Sequence, residues 1–484
     1  MPERAWSAIA LAVLGGLAGC SMAPAYRPPA IAAPPAFKEA GAWLPADPAS
    51  GRPQDAWWTS FGDPALDRLE QQLVAGNPTL AGALGRYDAA RAYLAQARSS
   101  LLPTIGLGSE FDRDRQSNDR PLRSATQPDF YSADTISGSV GYELDLWGRV
   151  RNSVAAGKAE AAASADDVAA IRLNLGGELA SAYIALRGQD QQIALLASTV
   201  EDYGQADALT QRRFRGGIAS GVDTGRSGSQ LAEAEAQLAD VRAQRALTEH
   251  AIASLVGAPA SGFAIEPAPD SLTMPVTPIG VPSTLLQRRP DVAAAERRMI
   301  AANAEIGVAR AAFFPSISLG GQGGFQSTAL SGLISAPNLF WSVGPTMVAS
   351  LFDGGRRRAQ VAVAQANWTL ATARYRASAL KAFQDVEDSL SQLHLLGEEN
   401  AAEQRASAKA TQVETLSLNR YVKGAVTYLD VVTAQATALR VRRAAIDLST
   451  RRLQASVQLV RAVGGGWDEA APAPAQPNTT SRSR

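Results

Sequence analysis

The sequence predicts a mainly α-helical chain with a small set of amphipathic β-strands, built as an internal duplication. Three observations predict it. A heptad-spaced helix that runs into a strand occurs twice, at Asn77–Leu107 and Arg289–Leu319. Each copy is followed by a long proline-free stretch, Arg149 to about Arg212 and Arg356 to about Asn419. Alanine dominates the hydrophobic fraction while aromatics make up only 6%, a composition that suits closely packed helices better than a bulky globular core.

The duplicated stretches read NPTLAGALGRYDAARAYLAQARSSLLPTIGL and RPDVAAAERRMIAANAEIGVARAAFFPSISL. At a shift of 212 positions, 12 of their 31 residues are identical, including Pro78/Pro290 and Pro103/Pro315. Val292, Ala295, Met299, Ala302, Ile306, Ala309 and Phe313 are spaced alternately three and four apart, a heptad seam. Leu80, Ala83, Tyr87, Ala90, Leu94, Ala97 and Leu101 repeat it. Pro103 and Pro315 mark the junctions from helix to strand, since proline stops a helix and is tolerated at a strand start.

Composition removes several classes of function. Lys+Arg and Asp+Glu balance at 46 each, so no net field favours nucleic acid. Cys20 is the only cysteine, and His250 and His394 are the only histidines. That rules out an intrachain disulfide and disfavours a Cys- or His-built metal cluster. The glycine-rich pieces GGQGG and GGIASG lack the GK[ST] of a phosphate loop and the spacing of a dinucleotide fold. No cofactor is expected.

The chain opens with Arg4, an apolar run from about Ala5 to Leu17, and then LAGC. The run is too short to span a bilayer and fits a secretory signal. Leu17-Ala18-Gly19-Cys20 resembles a bacterial lipoprotein signal, which makes Cys20 the lipidated first residue after cleavage of 1–19. Ser21 follows in place of the aspartate that marks inner-membrane retention, so sorting to the outer membrane is expected. Residues 20–60 form a Pro/Ala-rich tether. Asp63-Pro64 then starts a helix with Leu66, Leu69 and Leu73 on one stripe.

Strands follow each junction. Ile105, Leu107 and Phe111 oppose Thr104, Gly106, Gly108, Glu110 and Asp112; after a charged loop, DRDRQSNDRPLRS, the alternation resumes over Ile136–Leu146. In the second copy Ile317, Leu319 and Phe325 share a face, as do Trp341, Val343, Met347, Ala349 and Leu351. Strands of about ten residues with one polar face fit a membrane barrel. A soluble antiparallel sheet shows the same alternation, and the lipoprotein signal and the duplication favour the barrel. Four strands cannot close one, since the smallest membrane barrels have about eight. Two chains would nearly fill such a barrel with side chains, whereas three leave a lumen.

The two long helices end in glycine-containing turns, RFRGGIASGVDT and RYVKGAVTYLDV. Gly217 and Gly424 permit the reversal, and Asp223 and Asp430 suit caps of the returning helices. Arg213, Arg215, Arg420 and Lys423 make these turns locally basic. Here the copies align at a shift of 207, pairing Arg213 with Arg420 and Gly257 with Gly464. The change from 212 to 207 falls between the hairpins, where loops vary.

The start WWTSFGDPALDRL, the stretch LLQRRPDVAAAERRMIAANAEIGVARAAFFPSISL and the turn RYVKGAVTYLDVVTAQ together resemble the outer-membrane factors of tripartite efflux pumps, the TolC- and OprM-like channels and NodT-type lipoproteins. The resemblance covers nearly the whole mature chain in the family's order. It implies a homotrimer with a twelve-stranded barrel in outer-membrane lipid and a helical barrel reaching into the periplasm. It also implies a tip that opens when a periplasmic adaptor and an inner-membrane transporter dock, and a duct that does no chemistry and binds no nucleic acid. The tip and adaptor contact would lie around Gly217, Asp223, Gly424, Leu429, Asp430 and Thr433. Relatives often place an acidic ring near this point, where this chain has Thr433, leaving Asp430 to supply any acid from the second repeat. An outer-membrane duct for type I protein secretion has the same architecture and is the alternative. A periplasmic coiled-coil scaffold would explain the helices but not the strands.

The expected organisation is a signal at 1–19, a tether at 20–60, a first repeat at 61–257, a connector at 258–288, a second repeat at 289–466 and a disordered tail at 467–484. Within the repeats, hairpins are expected at about 104–146 and 316–352. Long helices are expected at about 149–212 and 356–419, and returning helices at about 223–257 and 429–464. The Pro-rich connector reads as extended, with room for a short strand outside the membrane.

Overall fold

The computed structural model describes residues 21–31, 34, 36–39, 56–117, 119, 121, 124, 126–270, 272–275 and 288–465. The signal with Cys20, most of the tether, the end of the connector and the tail lie outside the described residues. The elements in order are α1 (Pro64–Gly76), α2 (Pro78–Ser99), β1 (Thr104–Arg115), β2 (Phe130–Glu143), α3 (Arg149–Arg215), α4 (Gly221–Leu255), α5 (Pro290–Ala311), β3 (Ser316–Ser327), β4 (Leu339–Val348), α6 (Arg356–Val422) and α7 (Tyr428–Ala462). Helix α2 and strand β1 recur as α5 and β3 at a shift of 212, bound for bound, and α3 and α4 recur as α6 and α7 at 207.

The chain forms two compact units. One draws on Met1–Pro29, Arg86–Ser164 and Ala295–Tyr375; the other on Ala30–Gly85, Ala165–Ala294 and Arg376–Arg484. Each takes segments from both copies, so the repeat boundary in the sequence is not a boundary between the units.

The first unit holds a four-stranded antiparallel sheet in the order β1-β2-β3-β4. Strand β1 extends through Arg115 and β2 begins at Phe130, so part of the charged segment read as loop is strand. Strand β2 stops at Glu143 and β4 at Val348, short of Leu146 and Leu351. At the foot of the sheet, Trp147 Nε1 donates to the Pro315 carbonyl (2.8 Å) and its ring stacks on Phe314 at 4.7 Å. The N-terminal stretch straps along α5 and the start of α3. Ser21 Oγ donates to Asn152 Oδ1 (2.9 Å), Asn303 Nδ2 to the Pro24 carbonyl (2.9 Å) and Tyr26 Oη to Glu296 Oε1 (3.2 Å). A Cβ at Gly307 would lie 2.8 Å from the Ala23 nitrogen, so the close approach requires glycine.

The heptad seam is the packed face. Val292, Met299 and Ile306 are buried and the intervening alanines half-buried. Phe313 departs from the expectation: it follows the helix end at Ala311 and is 45% exposed. Leu101 likewise lies past the end of α2 and is exposed.

The second unit is built around Leu66, Leu69 and Leu73 of α1, which pack on Leu179, Tyr183, Ile184 and Leu186 of α3, Ile252 of α4, and Val457 and Val460 of α7. Each such buried side chain stabilises the fold by about 1.5–3 kcal/mol. Asp63 caps α1 by accepting from Ala65 N at 2.8 Å and also accepts from the Tyr183 hydroxyl. The connector contains no strand among its described residues. Side chains hold it instead: Arg187 Nη1 donates to the Glu266 carbonyl (2.8 Å) and Arg245 Nη2 to that of Ile265 (2.7 Å). Asp190 bridges both arginines, at 3.0 Å and 2.6 Å. In the RRPDV segment, Arg289 forks onto Asp291 and reaches Asp385 at 3.0 Å.

Candidate functional site

Two surfaces carry the chemistry that a duct would need: the faces of the sheet and the turns at the ends of the long helices.

The register decides the faces of the sheet. Ile105 pairs with Val140, Val140 with Gly321 and Gly321 with Val343, so odd-numbered residues of β1, β3 and β4 share a face with even-numbered residues of β2. One face carries Ile105, Leu107, Phe111, Ile136, Tyr142, Ile317, Leu319, Phe325, Trp341 and Met347. Ile105 and Leu107 are more than 80% exposed and Trp341 is 73% exposed, which in water would be a costly surface. The other face carries Thr104, Gly106, Glu110, Asp112, Ser137, Ser139, Ser318, Gln322, Ser342 and Thr346. Strands β1 and β4 are the edges of the sheet.

Pro103 and Pro315 each directly precede a strand, β1 and β3. They do not themselves end the helices, which stop at Ser99 and Ala311. A short turn intervenes in both cases.

At the turns, Gly217 has φ +74° and Gly424 φ +75°, the left-handed conformation that L side chains avoid. The long helices run three residues past the expected ends, and the returning helices start at Gly221 and Tyr428 rather than at Asp223 and Leu429. The cap residues are therefore Ser220 and Thr427, with the aspartates at the third helical position. Asp223 Oδ2 accepts from Ser220 N (3.1 Å) and Ser220 Oγ (2.8 Å). Asp430 Oδ2 accepts from Thr427 N (3.0 Å) and Thr427 Oγ1 (2.8 Å). With Asp223 N donating to Ser220 Oγ at 3.2 Å, a complete capping box stands at each turn, and the bonds from Thr427 hold the Asp430 carboxyl below its ordinary range. Both carboxylates are committed to their caps. Thr433 is exposed and donates to the Leu429 carbonyl at 2.8 Å.

Sequence reasoning missed one link between the turns. Arg213 donates to the carbonyls of Tyr421 (3.4 Å) and Val422 (3.2 Å) and lies 4.6 Å from the Tyr421 ring centre. Tyr421 in turn packs on Tyr428 at 5.3 Å, in a small core with Val431. Burial is the main cause raising the Tyr428 hydroxyl to about 12. The Arg213/Arg420 pairing in the repeat was visible, but nothing local distinguishes the arginine that reaches across. Leu429 stands beside this core, 47% exposed. Among the described residues no group of three or more His, Cys, Asp or Glu converges into a metal site, and no helix is long and apolar enough to cross a membrane.

The comparisons with known proteins agree with this geometry. The family described as "Outer membrane efflux protein" matches residues 69–258 and 281–465, one block in each repeat. The outer membrane protein OprJ of Pseudomonas aeruginosa is 34% identical over 474 residues, covering 97% of this chain and 98% of that one. The toluene efflux pump outer membrane protein TtgF of Pseudomonas putida is 30% identical, covering 95% and 97%. Among solved structures, the outer-membrane channel OprN superimposes with a TM-score of 0.85 at 30% identity, covering 93% of this chain and all of that one. A chain with one apolar and one polar sheet face, two matched repeats and these relatives belongs to the outer membrane efflux protein family, as an outer-membrane channel of an efflux pump.

Proposed function

We propose that three copies of the chain share one twelve-stranded barrel and form a passive exit duct for small molecules. The observation that carries this is the sheet itself: four strands, one lipid-compatible face and two open edges, β1 and β4. Open edges are not tolerated in lipid, and three chains are the smallest set that closes a barrel with a lumen. Edge-to-edge pairing of β4 on one copy with β1 on the next is a head-to-tail contact that closes into a ring. A duct of this kind catalyses no reaction. Its cargo is inferred to be small apolar compounds by analogy with relatives such as the toluene pump protein.

The turns around Gly217 and Gly424 are the proposed resting gate and the docking site for a periplasmic adaptor that joins the duct to an inner-membrane transporter. Phe214, Ile218, Val222, Val422 and Leu429 are exposed there, a clustered apolar surface of the kind that marks a protein contact. Asp223 and Asp430 are held in the capping boxes of Ser220 and Thr427, and Thr433 puts no charge at the position in this reading. Cys20 is the proposed lipid anchor. Its neighbour Ser21 is tied to Asn152, close after the last strand residue Glu143, which suits an anchor entering the inner leaflet.

Cysteine pairs test the assembly, since Cys20 is the only natural one. Single cysteines along the β1 edge, such as Glu110→Cys, combined with ones on the same face of β4, such as Ser342→Cys, should give oxidised trimers in the outer membrane. If a scan of both edges yields only monomers, the shared barrel is wrong. Loss of lipid labelling in Cys20→Ser tests the anchor separately.

A further inference from the structure

We infer that Arg113 and Arg115 form a phosphate-binding clamp for the glycolipids of the outer leaflet. The inference rests on the shared-barrel reading above.

The segment Asp112–Arg115 alternates in sign, DRDR, and strand β1 runs through all of it. A strand sends successive side chains to opposite faces. Arg113 and Arg115, opposite Ser132 and Phe130, therefore share the face of Ile105, Leu107 and Phe111. Asp112 and Asp114 fall on the polar face with Glu110. The strand thus sorts its charges, cations toward lipid and anions toward the lumen. Across all four strands the lumenal face carries Glu110, Asp112, Asp114 and Glu143 and no basic residue, while the only other ionic side chain on the apolar face is the buried Asp134.

Height decides what the arginines meet. The apolar face runs from Ile317, one position past the Ser318–Glu143 pair, to Phe111, opposite Asp134. That is ten residues measured along β2, about 34 Å of strand. At a tilt of about 40° it stands about 26 Å tall, which matches the usual apolar band of a membrane barrel. Arg113 and Arg115 lie one and two face positions beyond its upper edge, at headgroup depth. A cation is costly at the midplane of a barrel wall and nearly free at its rim, and the long stem can lie along the apolar surface.

The end of the sheet identifies the leaflet. Both hairpin loops, after Arg115 and after Ser327, lie opposite the end where the chain enters from α2 and α5 and leaves to α3 and α6. With the helices periplasmic, Arg113 and Arg115 face the outer leaflet. Both are exposed, and among the described residues neither forms an ion pair. The Arg115 guanidinium lies 5.7 Å from the Phe130 ring centre, which orients it on the apolar wall while leaving its donors free for a planar, bidentate anion such as phosphate.

The test uses full-length protein extracted from the outer membrane in mild detergent and read by native mass spectrometry. The probe is purified lipopolysaccharide, alongside its dephosphorylated form and phosphatidylglycerol. Wild type should retain the phosphorylated glycolipid. Arg113→Gln/Arg115→Gln should retain about ten-fold less or lower still, the scale expected for two surface cations against anionic headgroups. Asp112→Asn/Asp114→Asn, on the other face, should behave as wild type. Equal retention by the arginine variant, equal retention of the dephosphorylated lipid, tighter retention of phosphatidylglycerol, or the same loss in the aspartate variant would each overturn the clamp. If the glutamine variant does not assemble, Arg113→Lys/Arg115→Lys against Arg115→Gln decides, because only loss of charge should release lipid. The same spectra give the oligomeric mass, so a failure of the trimer is seen separately from a failure of lipid binding.

Discussion

Helices α3 and α6 are both 67 residues long and occupy matching places in the two repeats, yet they meet different surroundings. Among its large hydrophobic side chains α3 exposes only Phe214. Helix α6 exposes Val363, Leu370, Leu380, Leu395, Val413, Leu416, Leu418 and Val422. Where α3 has Tyr183, Arg187 and Asp190 to grip α1 and the connector, the equivalent positions of α6 are Leu390, His394 and Gly397. One copy of the duplicated rod has been specialised to organise its own chain. The other keeps an apolar surface exposed, which the proposed trimer would cover with neighbouring copies.

The largest expected effect breaks that division outright. Leu395→Glu combined with Leu416→Glu puts charge into the surface proposed to pack between subunits, where each large apolar side chain would otherwise contribute about 1.5–3 kcal/mol. Light scattering of the detergent-solubilised protein should show the trimer lost. Phe214→Glu on α3 should leave the mass unchanged. Equal behaviour of the two variants would mean that the stripe on α6 is ordinary surface.

Next in size is the grip of α3. The Asp190 side chain is 1% exposed between Arg187 and Arg245 and also accepts from Ala268 N at 3.1 Å. Asp190→Ala leaves two largely buried cations without their shared partner, a change that costs about 3–5 kcal/mol. Gly397→Ala, at the matching position of α6, has open space for its methyl group and should be neutral or stabilising by up to about 1 kcal/mol. Denaturant midpoints of the two variants measure the contrast directly.

A third difference is sensitive to pH. Glu70 on α1 is 1% exposed against Gly176 of α3, with Oε1 unpartnered. Its carboxyl is raised to about 8, mainly by burial, with Arg172 opposing the shift and Asp67 adding to it. Because the folded value exceeds the unfolded one, this contribution to stability is fully present below the ordinary glutamate range. It is lost as pH rises through about 8. Glu70→Gln should leave the melting temperature nearly unchanged at about pH 4 and raise it at about pH 9, by an amount equivalent to at most a few kcal/mol. The same increment at both pH values would rule out titration of Glu70.

Much of this was legible from periodicity. The seam, the junction prolines, the alternation in the strands and the two shifts, 212 and 207, all repeat in the element bounds, because each reflects a local backbone rule. Other features were not legible because they depend on what lies across a gap in sequence. The segment DRDR looks like loop on composition, yet pairing with Phe130–Ala133 makes it strand. The caps lie three residues before Asp223 and Asp430 for a related reason. Asp223 and Asp430 are good cap residues, but Ser220 and Thr427 stand one turn earlier and take the position, leaving the aspartates to bond back to them. The S-x-x-D and T-x-x-D spacing carried that signal.

The smallest effect sharpens the comparison at the ends of the two rods. Arg213, at the end of α3, donates to the last carbonyls of α6 and stacks on Tyr421. Its counterpart Arg420 helps to hold the Asp430 carboxyl low by its charge. A cation beside a helix C-terminus stabilises it by about 0.3–1 kcal/mol at an exposed site, and the ring contact adds a similar amount. Arg213→Ala should therefore loosen the turn at Gly424 by about 1 kcal/mol, seen as faster amide exchange over Val422–Tyr428. Arg420→Ala should leave exchange at Gly217 within error. If the proposed gate is built from these turns, only the first substitution should also raise the conductance of the resting trimer in planar bilayers. Matching effects from both arginines would show that the tips kept the symmetry that the long helices lost.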